Sequence, residues 1–374
     1  MRSLLRSLAL AVSLAAPAFA ASPPPPTPAP QAARPTLDVV FVLDTTGSMS
    51  GLLEGAKQKI WSIASRLASG TPTPRIRVGL VGYRDRGDEY VTKRFALSED
   101  LDAVYANLKG FSAGGGGDGP EHVGQALGEA VSLMQWSGDK KAARMIFLVG
   151  DAPAHDDYKD GWNTRVWARK AIEQGIVVNT VRCGNDPSTG TLFAELSRLA
   201  DGTYVSIAQS GGMVAVATPF DADMAKLNAE LADTTLTAGR RAVRMEADRE
   251  MEAYKSLGSA AAADRVSYRA KAAPAAPMME SKAGGVSLNA NPAKADELAD
   301  EELPEAVRAQ PRAQRAAYVR AVNERQQAAQ QKLLELSKQR DAYLKEHASK
   351  KADSFDEQVF AGVKKSAAKV GVSY

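Results

Sequence analysis

Residues 37–50 read LDVVFVLDTTGSMS. A nearly unbroken apolar run, Leu37 to Leu43, stops at the carboxylate of Asp44, and hydroxyls follow at Thr46 and Ser48. Continuous Val, Phe and Leu mark a strand covered on both faces, as parallel strands in α/β proteins are. The i, i+2, i+4 spacing puts Asp44, Thr46 and Ser48 on one side of an extended segment. Leu53, Ala56, Ile60, Ile63, Ala64 and Leu67 then recur at helical spacing. The stretch therefore reads as a buried strand, a turn rich in oxygen donors, and a helix.

The same alternation continues downstream. RIRVGLVGY (75–83) and YVTKRFAL (90–97) read as strands joined by the turn-rich RDRGDE, a hairpin. LDAVYANL (101–108) is a short helix. GGGGDGPE (114–121) opens another, with Val123, Leu127, Ala130, Val131 and Met134 on one face. RMIFLVG (144–150) is a second buried strand and ends at Asp151. A helix around 162–174, the strand GIVVNTVRCG (175–184), a helix around 191–200 and the strand GTYVSIA (202–208) follow. Strands alternating with helices imply right-handed crossovers and an α/β, doubly wound, mainly parallel sheet. This unit is assigned to residues 36–220.

The flanks differ in composition. Residues 1–20 carry Arg2 and Arg6, an apolar run and Ala18-Phe19-Ala20, the pattern of a secretory signal peptide. An exported protein, periplasmic or secreted, is expected. Residues 21–35 form a proline-rich tether. A helical extension is expected over 221–256, and a flexible linker with little core over 257–302. Residues 303–374 read as a helical tail with an apolar stripe of Tyr318, Val322, Ala329, Leu333, Leu336 and Tyr343. Arg340 interrupts the stripe and its spacing drifts from a strict heptad, which leaves a coiled coil and self-association through the tail helix open.

Across 374 residues the net charge is +3, which gives no argument for nucleic acid. No stretch of the mature chain is apolar and long enough to read as membrane-spanning. Residues 303–374 hold 14 Lys and Arg against 8 Asp and Glu, and the remainder 33 against 36, so a faintly acidic head precedes a basic tail. The lone cysteine, Cys183, ends a core strand and reads as a buried structural thiol.

Ligands of open α/β sheets bind beyond the carboxyl ends of the strands. Asp44, Thr46, Ser48, Asp118 and Asp151 converge there and offer only hard oxygen donors, which suit a divalent cation, Mg²⁺ first, with Mn²⁺ and Ca²⁺ as alternatives. Asp118 also reads as a helix cap, because DGPE is a good helix start. His122 and His155 adjoin these loops and read as exposed loop histidines; Trp162 and Trp167 read as packing. Arg86-Gly87-Asp88 spells an integrin-binding tripeptide but is also ordinary hairpin-turn chemistry.

DTTGSM resembles the DxSxS signature of the von Willebrand factor A domain, with Thr46 in place of the first serine. LVGD, ending at Asp151, and GGGGDGPE are similar to that family's other two site loops. The resemblance covers residues 36–210 and implies a six-stranded sheet with helices on both faces. It also implies a metal-ion-dependent adhesion site, whose open coordination position takes an acidic group of a protein partner. The middle loop departs from the family pattern by offering Asp118 where many members have threonine.

Three functions follow for comparison: a non-enzymatic, metal-dependent protein-interaction module, a metal-assisted phosphoesterase-like hydrolase, and an envelope scaffold assembled through its tail. A hydrolase is disfavoured because no histidine or cysteine belongs to the motif, and DTTG lacks the second aspartate of a haloacid-dehalogenase-type phosphatase. No Gly-x-Ser-x-Gly elbow is present either.

Overall fold

The hydrophobic rhythm of residues 37–43 resolves into two faces of one strand. In the computed structural model, which describes residues 34–139, 141–212, 217–272, 276–347 and 354–374, β1 (Thr36–Asp44) is buried along its whole length. Leu37, Val39, Phe41 and Leu43 enter one apolar cluster, Val40 and Val42 the other. Residues 1–20 and nearly all of 21–35 lie outside the described residues.

The chain continues through α1 (Ser50–Ala68), β2 (Arg75–Tyr83), β3 (Thr92–Ser98), α2 (Leu101–Lys109), α3 (Val123–Ser132) and β4 (Ala142–Gly150). Then come α4 (Thr164–Glu173), β5 (Ile176–Cys183), α5 (Pro187–Leu199) and β6 (Tyr204–Ile207). The six strands form one sheet in the order β3-β2-β1-β4-β5-β6. All neighbours are parallel except the antiparallel edge strand β3. The fold is therefore α/β and doubly wound. Strand order reverses direction between β1 and β4, so their carboxyl ends, Asp44 and Gly150–Asp151, flank the crevice where such sheets bind ligands.

Beyond β6 lie α6 (Asp221–Asp233), β7 (Thr237–Ala238), α7 (Arg241–Lys255), α8 (Ser259–Ala272), β8 (Val286–Ser287), α9 (Lys294–Glu297), α10 (Glu305–Arg308), α11 (Arg315–Glu346) and α12 (Phe355–Ala368). Helices α3, α4 and α5 cover the Val40/Val42 face. The opposite face is covered by α1 and α2 and by α12, which returns from the far end of the sequence. Phe355 sits with its ring centroid 6.1 Å from that of Phe41, and Val359, Val363 and Ala367 are buried behind it. Gly362 is needed for this approach, since a Cβ there would meet the Phe147 ring at 3.0 Å. Glu357 takes both Arg66 guanidinium nitrogens at 2.6 and 3.1 Å, and Ser373 exchanges backbone hydrogen bonds with Thr71 at 2.8 and 3.0 Å.

Residues 257–302, expected to hold little core, contain a helix with Ala262 to Tyr268 buried. Composition misleads here because the burial is carried by small alanines and by a charged side chain. Arg265 donates to Asp102 at 2.7 and 3.1 Å and lies 3.9 Å over the Tyr254 ring. Tyr268 packs on Trp61 of α1 at 5.9 Å. Arg340 likewise does not break the stripe of α11. It is 2% exposed and bonded at 2.7 Å to both Asp221 and Asp264. The α11 stripe is spent inside the chain, where Ala329 and Leu333 share a core with Met224, Tyr254 and Val266. Among the described residues no helix is long and apolar enough to cross a membrane.

Two outcomes test this architecture. Phe355→Ala should destabilise the full chain by about 3–5 kcal/mol in urea unfolding, the usual range for emptying a buried aromatic site. Arg340→Ala leaves two buried aspartates without their guanidinium partner and should cost a similar ~3–5 kcal/mol, whereas the exposed Lys226→Ala should cost under about 0.5 kcal/mol.

Candidate metal centre

Asp44 closes β1 fully buried, and its two oxygens have different neighbours. Oδ1 accepts from the Thr46 backbone N–H at 2.9 Å and from Thr46 Oγ1 at 2.6 Å. Oδ2 is buried without a hydrogen-bond partner and faces the end of β4, where a Cβ on Gly150 would lie 3.3 Å from it. Thr46 Oγ1 stands 3.5 Å from Ser48 Oγ, so the strand end and the following turn gather their oxygens as the alternating spacing requires. Asp151 Oδ2 accepts from Gln209 Nε2 at 2.5 Å, and that amide also reaches the Ser48 carbonyl at 3.3 Å.

The glycine loop forms the third wall. Gly115 and Gly116 have φ of +76° and +83°, a successive left-handed pair that side-chain-bearing residues rarely adopt. The loop is pinned to the first turn by Gly114 N–H to the Thr45 carbonyl at 3.1 Å and Gly47 N–H to the Gly115 carbonyl at 3.4 Å. Asp88 receives the Gly116 and Asp85 backbone N–H groups at 3.2 and 3.3 Å. The Arg86-Gly87-Asp88 turn therefore has a structural task, holding this loop.

Glu121, at the end of the loop, was not singled out from sequence. It is 2% exposed, with Oε2 unpartnered, and its backbone is clamped to Pro153 and His155 by bonds of 2.9 and 3.0 Å. Burial, and then the Asp44 carboxylate, push the Glu121 carboxyl up to about 9. Burial also pushes Asp44 up to about 7, against the two Thr46 hydrogen bonds and with added repulsion from Asp151. The strongest charged influences on Glu121 are all carboxylates: Asp44, Asp85, Asp88 and Asp151. Buried carboxyl groups with orphaned oxygens, whose strongest charged neighbours are other carboxylates, fit a divalent cation held by hard oxygen donors.

Asp44, Thr46, Ser48 and Asp151 thus meet at the carboxyl edge. Asp118 stands to one side, with its side chain 64% exposed and Oδ2 3.5 Å from His155 Nε2. The histidines are not exposed loop residues. His122 is 1% exposed, and burial lowers its pKa, while Nε2 lies 2.9 Å from Asp160 Oδ2. His155 has a 13% exposed side chain and stacks on Tyr158 with centroids 4.1 Å apart. Neither environment was legible from sequence, because the covering groups come from other loops. Trp162 and Trp167 stack on each other at 5.3 Å over Gly128, as packing residues. Cys183 is a buried free thiol, and burial pushes its pKa up.

A six-stranded doubly wound sheet with an acidic cluster at its switch point defines a class of α/β domain that binds ligands on one edge of the sheet. Residues 38–219, just under half of the chain, match the family model of the von Willebrand factor A domain. One curated relative is the alpha-protein kinase vwkA of Dictyostelium discoideum, 28% identical over 126 residues, or 33% of this chain and 19% of that one. The chain therefore aligns with under a fifth of that relative's length. Among solved structures, an aerotolerance-related membrane protein from Bacteroides fragilis is 18% identical, covering 46% of this chain and 92% of that one, with a TM-score of 0.34. The pilus adhesin SpaC from Lactobacillus rhamnosus GG is 13% identical, covering 48% and 29%, with a TM-score of 0.38.

The raised carboxyls set a pH dependence. Both folded-state values lie above the ordinary carboxylate range near 4, so the native state keeps protons that the unfolded chain has released. Metal-free stability should therefore fall as pH rises from about 5 towards 8. Asp44→Asn removes one of these groups while keeping the acceptor for Thr46. Its urea midpoint in EDTA should gain on wild type between pH 5 and pH 8; a constant difference across that range would contradict the assignment.

Proposed function

We propose that the domain is a non-enzymatic interaction module that captures a protein partner at the carboxyl edge of its sheet through a divalent cation. The observation that carries this reading is the pair of buried, unpartnered oxygens, Asp44 Oδ2 and Glu121 Oε2, in a pocket where the strongest charged influences on Glu121 are carboxylates. Asp44, Thr46, Ser48 and Asp151 would hold the ion, with Mg²⁺ the best match to an all-oxygen donor set and Mn²⁺ or Ca²⁺ as alternatives. A bound cation supplies an open coordination position for an oxygen of the partner. The chain's own contribution is orientation. Thr46 fixes one oxygen of Asp44, Gln209 fixes Asp151, and the glycine loop leaves the edge free of side chains from residues 114–117. Glu121, protonated at neutral pH in the absence of the ion, adds a neutral donor rather than a third negative charge. Export to the periplasm or beyond rests on the signal-like N-terminal sequence.

In a thermal melt, millimolar Mg²⁺ or Mn²⁺ should raise the midpoint of the wild type relative to EDTA, and Asp44→Ala should abolish the rise. In a pull-down from extracts of the source cell, prey specific to this site should be lost with EDTA and with Asp44→Ala alike. A wild type whose melting point ignores both metals would sink the proposal.

A further inference from the structure

Beside the first site lies a separate cluster of different chemistry. Asp85 follows β2, Asp118 comes from the glycine loop and His155 follows β4, and one ligand atom from each lies within 4.8 Å of the others. We propose that Asp85, Asp118 and His155 form a second cation site, suited to a borderline transition ion of the Zn²⁺ type rather than to Mg²⁺. It shares no residue with Asp44, Thr46, Ser48 and Asp151, and it stands whether or not that site holds an ion.

The histidine is prepared for ligation. Its Nδ1 lies 2.8 Å from Asp157 Oδ1, an arrangement that keeps the proton on Nδ1 and leaves the Nε2 lone pair free. Nε2 is buried without a hydrogen-bond partner, 3.5 Å from Asp118 Oδ2 and 3.9 Å from Asp85 Oδ2. A lone pair facing two carboxylates is repulsive, and either a metal ion between them or a proton on Nε2 relieves it. Ligand atoms around a tetrahedral zinc with bonds of about 2.0–2.1 Å are roughly 3.4 Å apart, close to these separations.

Asp85 gives an independent indication. It is 4% exposed, yet Oδ1 has no hydrogen-bond partner, while Oδ2 accepts from Tyr158 Oη at 2.6 Å. Tyr158 stacks on the His155 ring at the same time, so one side chain orients two of the three candidate ligands. An imidazole with two carboxylates is a mixed nitrogen and oxygen set, which selects zinc-like ions over Mg²⁺. Three protein ligands leave a position open on the side of the exposed Asp118.

The test uses the full chain saturated with Mg²⁺ and titrated with Zn²⁺ by calorimetry, with Co²⁺ as a spectroscopic substitute. Wild type should take up one equivalent of Zn²⁺ beyond the Mg²⁺, and Co²⁺ should give the visible absorption of a site with nitrogen ligation. His155→Gln and Asp118→Asn should each weaken Zn²⁺ binding by more than about tenfold, and Asp157→Asn by about tenfold. His347→Gln, on the remote end of α11, should change nothing, and any Mg²⁺-dependent melting shift should survive in His155→Gln. No zinc uptake in the presence of Mg²⁺ overturns the proposal and makes His155 an imidazolium paired with its carboxylates. So does uptake that is lost with Asp44→Asn but kept with His155→Gln.

Discussion

A parallel sheet that is apolar on both faces is stable only when both faces are covered, and the course of this chain follows from that requirement. One face is closed locally by the crossover helices α3, α4 and α5. The other has α1 and α2, and further cover comes from α12, after an excursion of more than a hundred residues. The helical region between is packed against the sheet domain, through Tyr268 on Trp61 and Arg265 on Asp102. Head and tail are thus joined by both apolar and ionic contacts.

Buried acids fall into two groups with opposite surroundings. Asp102, Asp221 and Asp264 each meet an arginine guanidinium at 2.7 Å, and these pairs fasten helices to one another and to the sheet domain. Asp44 and Glu121 are as deeply buried but have orphaned oxygens and carboxylates for neighbours. Leaving buried carboxyl oxygens without hydrogen-bond partners costs stability, so their clustering at the one sheet edge suited to ligands supports the proposed binding role. The step from geometry to function rests on this contrast.

The strand and helix alternation and the edge at Asp44 and Asp151 were readable because each depends on local pattern. Continuous apolar runs mark buried strands, and the motif lies within a few residues of a strand end. What escaped were features made by distant segments. Glu121 looked like a partner in helix capping, and only the fold brings Asp44 and Asp85 around it. Asp118 and His155 are 37 positions apart in the sequence, and their approach depends on the clamp between Glu121 and residues 153–155. Arg340 read as an interruption of the apolar stripe, since no count of composition reveals that it and Arg265 each have an acidic partner. The alanine-rich stretch at 259–263 was similarly discounted, although Ala262 and Ala263 are buried in α8.

The return of α12 also orders events in time. A ribosome has completed every strand of the sheet by residue 207, and the loops around Asp44 and Asp151 by Gln209. Phe41 and Phe147 nevertheless wait for Phe355 and Gly362 before their side of the sheet is closed. During that interval the part of this face around Phe41 and Phe147 lacks the apolar cover that α12 brings. Synthesis of this protein therefore passes through a stage that a chaperone, or any channel threading the chain unfolded, must keep from aggregating.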